Sequence, residues 1–359
     1  MRLLDTVTIY ANPAPLLVSR QAMFPGLVRL DNGELIAMFS IGQAFDAADT
    51  RAHVSRSTDN GKTWSAATPL HDATGAALES ETFKPLLLAD GTILATGYVF
   101  VRPDALTPIV DPETLEVLPL HNKHARSTDG GLSWTVPERF EVDGRGLELS
   151  GPCIQLASGR IIGAAPPFHL GADGHTGWII ASDDNGQSWY KLSEFFASPA
   201  GNVSAWESRL CEYAPGKVAV LFWAYDNATG TNLNNHLVLS DNGGASFGTA
   251  IDTGIHGQAS NLVPLDANSL LTIHAHREQP VGLVVRRIAL GETGIAVQET
   301  LDLFSNNAMA SNSADIAQQF GSLKFGQPSL LPLGGGEYLA VCWQLENSQH
   351  IIKGFRLTL

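Results

Sequence analysis

The sequence predicts an all-β chain folded as a six-bladed β-propeller of four-stranded antiparallel blades, and three observations carry that expectation. A nine-residue phrase recurs, as RSTDNGKTW at 56–64, RSTDGGLSW at 126–134 and ASDDNGQSW at 181–189, each time behind a short apolar run. Between these phrases, stretches of apolar strand, Asp/Asn/Gly turn and second apolar strand return six times. The composition agrees. Hydrophobic residues make up 44% of the 359, charged residues only 16%, and Gly (35) and Pro (19) are plentiful, which suits short strands and tight turns rather than long charged helices.

Each part of the repeated phrase has a physical use. The shared pattern is Ser-x-Asp-x-Gly-x-x-Trp, built from Ser57, Asp59, Gly61 and Trp64 in the first copy, with equivalents at 127–134 and 182–189. A worn fourth copy, SDNGGASF at 240–247, has Asn242 at the aspartate position and Phe247 at the tryptophan position. Asp and Asn bond the backbone N–H groups that follow them, Gly supplies a positive φ, and the aromatic ring opens the return strand. The phrase reads as a hairpin staple, and its aspartates as structural.

The inner strand pairs fall at 24–40, 83–100, 151–168, 207–223, 259–276 and 326–343. With a third strand, the staple and a fourth strand added to each pair, the unit is one propeller blade. The last unit lacks an outer strand after IIKGFRLTL, and the N-terminal LDTVTIYA supplies it. Residues 1–359 then form one domain whose ring is closed by its first strand. The insert 101–121 is turn-rich and reads as a loop over one face, while 308–320 allow a turn or two of helix.

The formal net charge of −14 disfavours nonspecific contact with nucleic acid or anionic membranes. Cys153, Cys211 and Cys342 are far apart, without metal-ligand spacing, and read as buried thiols. His274-x-His276 near Glu278 lacks a third ligand, so no metal is expected, and no cofactor either. No signal-peptide core and no ~20-residue apolar span stand out, so the expected location is cytoplasmic.

The Ser-x-Asp-x-Gly-x-x-Trp repeats resemble those of the sialidase (neuraminidase) superfamily, whose Asp boxes decorate a six-bladed propeller, and the likeness covers nearly the full chain. That resemblance implies a sugar site at the end of the axis opposite the Asp boxes. It also implies a set of site residues. Glu207 in WESRL matches the family's glutamate, and Arg277 in IHAHRE matches its third arginine. The acid/base aspartate falls in the loop IGQAFDAADTRAH, at Asp49 or Asp46, with Asp49 the better fit to the spacing. Three positions depart. Met23-Phe24-Pro25 stands where the family has Arg-Ile-Pro, LFWAYD lacks the second arginine, and Gln327 in GQPSLL takes the place of the nucleophilic tyrosine. One arginine does not reproduce a three-arginine carboxylate clamp, and glutamine is not a nucleophile comparable with tyrosine. Ordinary sialidase chemistry is therefore not expected.

Superposing the six inner strands gives a ring of pocket positions at Met23/Phe24, Glu81/Thr82, Leu149/Ser150, Trp206/Glu207, Gln258/Ala259 and Gly326/Gln327. Carboxylates, imidazoles and aromatic rings would converge there, which is the make-up of a saccharide site. The leading expectation is a glycoside hydrolase with Asp49 and Glu207 as catalytic carboxyls. Arg277, Glu81, Lys84, His169, His276, Trp206 and Gln327 are the candidate substrate contacts. A uronic-acid lyase using His169 or His276 is the rival enzyme. A sugar- or protein-binding propeller without turnover is the reading from another class.

Overall fold

The computed structural model describes residues 1–171, 173–291, 294–310 and 322–359. Their strands form six antiparallel sheets around one axis. Blade 1 runs through Gln21–Arg29, Leu35–Gly42, Arg51–Ser57 and Thr68–Pro69, from the axis outward. Blade 2 holds Glu79–Leu87, Ile93–Val101, Leu120–Ser127 and Glu138–Phe140, and blade 3 holds Ile154–Gln155, Ile161–Ala164, Gly177–Ser182 and Tyr190–Phe196. In blade 4, Val203–Ala214, Lys217–Asp226, Asn234–Ser240 and Ile251–His256 are joined by the short Thr231–Asn232 strand. Blade 5 comprises Ser260–Asp266, Ser269–His276, Gly282–Leu290 and Ile295–Ser305. Blade 6 comprises Phe325–Gly334, Glu337–Glu346 and Gln349–Thr358, and its fourth strand is Arg2–Tyr10, paired antiparallel from Arg2↔Thr358 to Tyr10↔Ile352. A single 3₁₀ turn, Asn307–Met309, falls at the start of the stretch expected to be helical, and 311–320 lie outside the described residues.

The core lies between the blades rather than at the axis. A strand's side chains alternate between its two faces, so a second strand buried on both sides must be apolar throughout. Leu35, Ala37 and Phe39 pack toward blade 6 with Leu339, Val341 and Trp343, while Ile36 and Met38 turn the other way onto Phe83 and Ile93 of blade 2. Val218, Val220 and Phe222 face blade 3 as Ala219 and Leu221 face blade 5. The three cysteines are buried in these seams, where burial pushes Cys153 and Cys211 up to about 12.

The repeated phrase does the stapling expected of it. In the first copy Ser57 Oγ donates to Asp59 Oδ1 at 2.8 Å and accepts from Gly61 N at 2.9 Å. The same aspartate accepts from Lys62 N, Thr63 N and the Thr63 hydroxyl at 3.0, 2.9 and 2.6 Å. Asp184 repeats this with Gln187 and Ser188. The worn copy keeps the turn by another route, since Asn242 Oδ1 still accepts from Ser240 Oγ and Ser246 N while its amide donates to Ser246 Oγ at 2.8 Å. The hydroxyl two residues after the glycine, at Thr63, Ser133, Ser188 and Ser246, is thus part of the staple.

The inner strands break their ladders where they pass the axis. Two residues oppose one at Phe24-Pro25 against Phe39, at Glu207-Ser208 against Phe222, and at Gln327-Pro328 against Cys342. The first residue of each bulge is left-handed, with φ of 58°, 45° and 41° for Phe24, Glu207 and Gln327. A non-glycine residue there costs on the order of 1–3 kcal/mol, which the surrounding ring must outweigh. Blade 3 departs further from the expected pair at 151–168. Its ladder shrinks to Ile154–Gln155 against Ile161–Ala164, because Pro152, Pro166 and Pro167 carry no N–H, and pairing resumes at Leu147↔Pro167.

The staples generate a prediction. Hydrogen bonds from the Thr63 and Ser188 hydroxyls, then from their backbone N–H groups, hold Asp59 and Asp184 down to about 2, against an ordinary 3.8. Each contributes stability that is complete above about pH 4 and is lost as pH falls through about 2. Asp184→Asn should melt within a few degrees of wild type at neutral pH and lose part of the acid-induced drop. Asp184→Ala should melt lower at neutral pH, as followed by calorimetry. Equal melting of Asp184→Ala and wild type would remove the staple role.

Candidate functional site

The bulges aim three blades into one axial cavity of about 470 Å³. Every blade contributes to its wall, with Phe24 from blade 1, Thr82 and Tyr98 from blade 2, and Trp206, Glu207 and Trp223 from blade 4. Arg277 follows the second strand of blade 5, Gln327 comes from blade 6, and Glu148 enters from the interrupted strand of blade 3.

Two carboxyls share this space. Glu207 Oε1 accepts the Gln327 amide at 2.5 Å, and its Oε2 has no hydrogen-bond partner among the described residues. Glu148 Oε1 accepts the backbone N–H of Glu207 at 3.1 Å, and its Oε2 likewise has none. Burial first, and the Glu207 charge second, push the Glu148 carboxyl up to about 8, so it holds its proton at neutral pH. Tyr98 stands nearby, its phenol raised by burial and by both carboxylates.

The cations lie behind and beside the carboxyls. Lys84 is fully buried, its Nζ bonded to the Phe24 carbonyl and 3.5 Å from Gln327 Oε1, and burial lowers its pKa well below the usual lysine range. Lysine, amide and carboxylate therefore form a chain. Lys84 fixes the Gln327 oxygen, which turns the amide N–H toward Glu207. Arg209 is held by Ser150 Oγ at 3.1 Å, and Arg277 by the Phe325 carbonyl at 3.0 Å. The Arg277 guanidinium sits 5.5 Å from the Trp223 ring centre, and its Nη1 has no partner among the described residues.

Of the residues expected at the site, Glu207, Gln327, Arg277 and Trp206 line the cavity, and Lys84 lies beneath its floor. Trp206 has one face stacked on Tyr225 at 4.4 Å. Glu81 reaches the wall, but its carboxylate is tied to His71 Nε2 at 2.8 Å and Ala52 N at 3.0 Å. Asp49 stands outside the cavity, because the 43–50 loop folds it back onto the Gln43 backbone and side-chain amides at 3.0 and 3.1 Å. Asp46 faces the mouth, braced by Arg102 at 2.8 Å and Ile109 N at 3.0 Å. His169 lies outside, packed on His175 with ring centres 4.4 Å apart. His276 also lies outside, against Arg286 at 3.2 Å, and His274 is occupied by Asn235 and Thr272.

Glu148, Tyr98 and Arg209 were not anticipated. The signal for Glu148 was a carboxylate set between two leucines in GLELSGP, at the place where SETFK and AWESR also carry one.

Comparison with known proteins agrees with this architecture. The BNR/Asp-box repeat family matches residues 55–66. A sialidase of Micromonospora viridifaciens is 27% identical over 298 residues, which is 74% of this chain but 41% of the sialidase, so the chain spans about two-fifths of that relative. A Dyadobacter fermentans protein of unknown function superposes with a TM-score of 0.77 at 20% identity, over 100% of this chain and 99% of the other. The NanB sialidase of Streptococcus pneumoniae superposes at 0.66 with 12% identity, over 98% and 70% respectively. Repeats, blade count and inner-strand geometry agree with these likenesses: the chain is a six-bladed β-propeller that carries Asp-box repeats and is similar in fold to the sialidases.

Proposed function

We propose that the protein is a glycoside hydrolase with a non-standard carboxyl pair, Glu148 as general acid and Glu207 as the group that supplies electrons to the anomeric carbon. The observation that carries this reading is two carboxyls in one cavity, Glu148 buried and raised in pKa, Glu207 half-buried and engaged through a single oxygen. Such a division of labour is what glycosidic cleavage requires. Glu148 gives its proton to the leaving oxygen as the glycosidic C–O bond breaks. Glu207 Oε2 offers its lone pair to the anomeric carbon, directly or through water that it deprotonates. Gln327 orients Glu207, and Arg277 Nη1 donates to an acceptor on the saccharide. A phenylalanine at position 24 and a glutamine at 327 disfavour a sialoside as substrate. The histidine-lyase alternative loses support because neither His169 nor His276 lines the cavity.

The test is a screen of chromogenic aryl glycosides against wild type, Glu207→Gln and Glu148→Gln. Glu207→Gln should lower kcat/KM by about 10²–10⁴. Turnover indifferent to that change would remove Glu207 from the chemistry, and saturable sugar binding without any turnover would leave a binding propeller. Glu148→Gln should lose most activity on alkyl glycosides and retain more on dinitrophenyl glycosides, whose leaving group needs less protonation.

Glu148 also makes a pH prediction. Wild-type activity should fall through about pH 8 as the acid deprotonates. The native state keeps this proton where the unfolded chain releases it near the ordinary 4.5, so stability falls as pH rises from about 4.5 through 8. Glu148→Gln has no proton to lose. Its melting temperature relative to wild type should therefore rise between about pH 5 and pH 9, and a difference constant with pH would contradict the buried-acid assignment.

A further inference from the structure

We infer that the group leaving the sugar is apolar, an alkyl or aryl aglycone rather than a second sugar, and that the mouth of the cavity is its binding site. The inference rests on the hydrolase reading for the word "leaving", while the apolar subsite stands on its own geometry.

Floor and mouth differ in how their polar groups are used. The floor keeps polar atoms without partners among the described residues, at Glu207 Oε2 on an inner strand, Glu148 Oε2 ahead of the shortened blade 3 strand, and Arg277 Nη1 just past a second strand. The mouth comes from loops. Its loop-borne apolar lining is Phe45, Pro108, Ile109, Val110, Pro112, Phe168 and Leu323. The polar side chains there are Asp46, Thr50 and Ser80, and each already has a partner within the protein. Both Asp46 oxygens accept, one from Arg102 and one from Ile109 N, at 2.8 and 3.0 Å. Thr50 Oγ1 and Ser80 Oγ donate to the Ala47 carbonyl, both at 2.8 Å, and Ser80 also accepts from Arg102 at 3.1 Å.

A sugar can stack on a flat aromatic ring, but aliphatic walls offer its hydroxyls nothing, and each hydroxyl buried without a partner is penalised. Five of these seven loop-borne residues are aliphatic or prolyl. An alkyl chain or apolar ring has no hydroxyls to satisfy and gains from leaving water. The loop that supplies Pro108 to Pro112 is fixed in place by the buried Arg102, which bonds Asp46, Ser80 and the Thr107 carbonyl. The apolar character continues outward, because Leu106 on the same loop is 91% exposed.

The experiment measures binding to Glu207→Gln and turnover by wild type for methyl, butyl and octyl β-glucosides and β-galactosides, with cellobiose and lactose as the sugar-aglycone arm. Alkyl glycosides share one leaving-group chemistry, so chain length reports contact alone. Affinity should rise up to about fourfold per buried methylene until the mouth is filled, and the disaccharides should bind no better than the methyl glycosides. Val110→Ser and Ile109→Asn, both on the mouth loop, should flatten the slope and leave methyl glycosides unchanged. A flat chain-length series, or disaccharides that outbind octyl glycosides, would overturn the inference. A rising series in binding with no turnover of any glycoside would sink the hydrolase reading and leave the apolar subsite standing. Octyl glycoside below its micelle concentration, set against vesicles carrying a glucosyl- or galactosyl-lipid, separates a free amphiphile from a membrane glycolipid as the source.

Discussion

Each blade is buried on both faces, and that constraint governs the rest of the molecule. A sheet with one wet face can alternate apolar and polar residues, but a blade between two neighbours cannot. The second strands answer with continuous apolar runs, Leu35 to Phe39 and Val218 to Phe222 among them. No blade can bury its faces alone, so the seams form only as neighbours arrive. The staples then take a secondary role. They hold hairpin geometry at one face of the ring, where an aspartate or, at position 242, an asparagine accepts from the N–H four residues on.

A rigid ring lets the axis tolerate what an isolated strand would not. Phe24, Glu207 and Gln327 all take left-handed backbone angles in the same relative place in three blades. The surrounding seams impose those angles, and Lys84 reinforces one of them by bonding the Phe24 carbonyl. Side chains that would otherwise follow the pleat are thereby turned toward the axis. Glu207 and Gln327 thus owe their place on the floor to local backbone strain, and the Pro108–Pro112 part of the mouth to a loop anchored by one buried arginine.

Much of this was legible in the chain. The Asp-box phrases, the inner-strand pairs and the alternation of their apolar residues carried the blade count, because strand periodicity and turn chemistry are local properties. Glu207 and Gln327 were found because the repeat fixes their register to within a residue. Asp49 was misplaced because a loop's path depends on contacts that no spacing encodes, here its own bonds to Gln43. Glu148 was missed because three prolines shorten the blade 3 ladder and shift the residue that faces the axis by one or two positions. The histidines misled for a simpler reason. A strand end brings a side chain near the mouth without deciding which way it points, and His276 turned to Arg286.

The pairing of Arg2–Tyr10 with Gln349–Thr358 has a further consequence for biosynthesis. Of the described strands, the first to be made has its sheet partner in the last. Until then its hydrogen-bonding edge stays open, and blade 1 lacks the neighbour that covers Leu35 and Phe39. The propeller must carry an unsealed flank until Gln349–Thr358 has been made, so its closure waits on a contact between strands that lie at opposite ends of the ring's sequence.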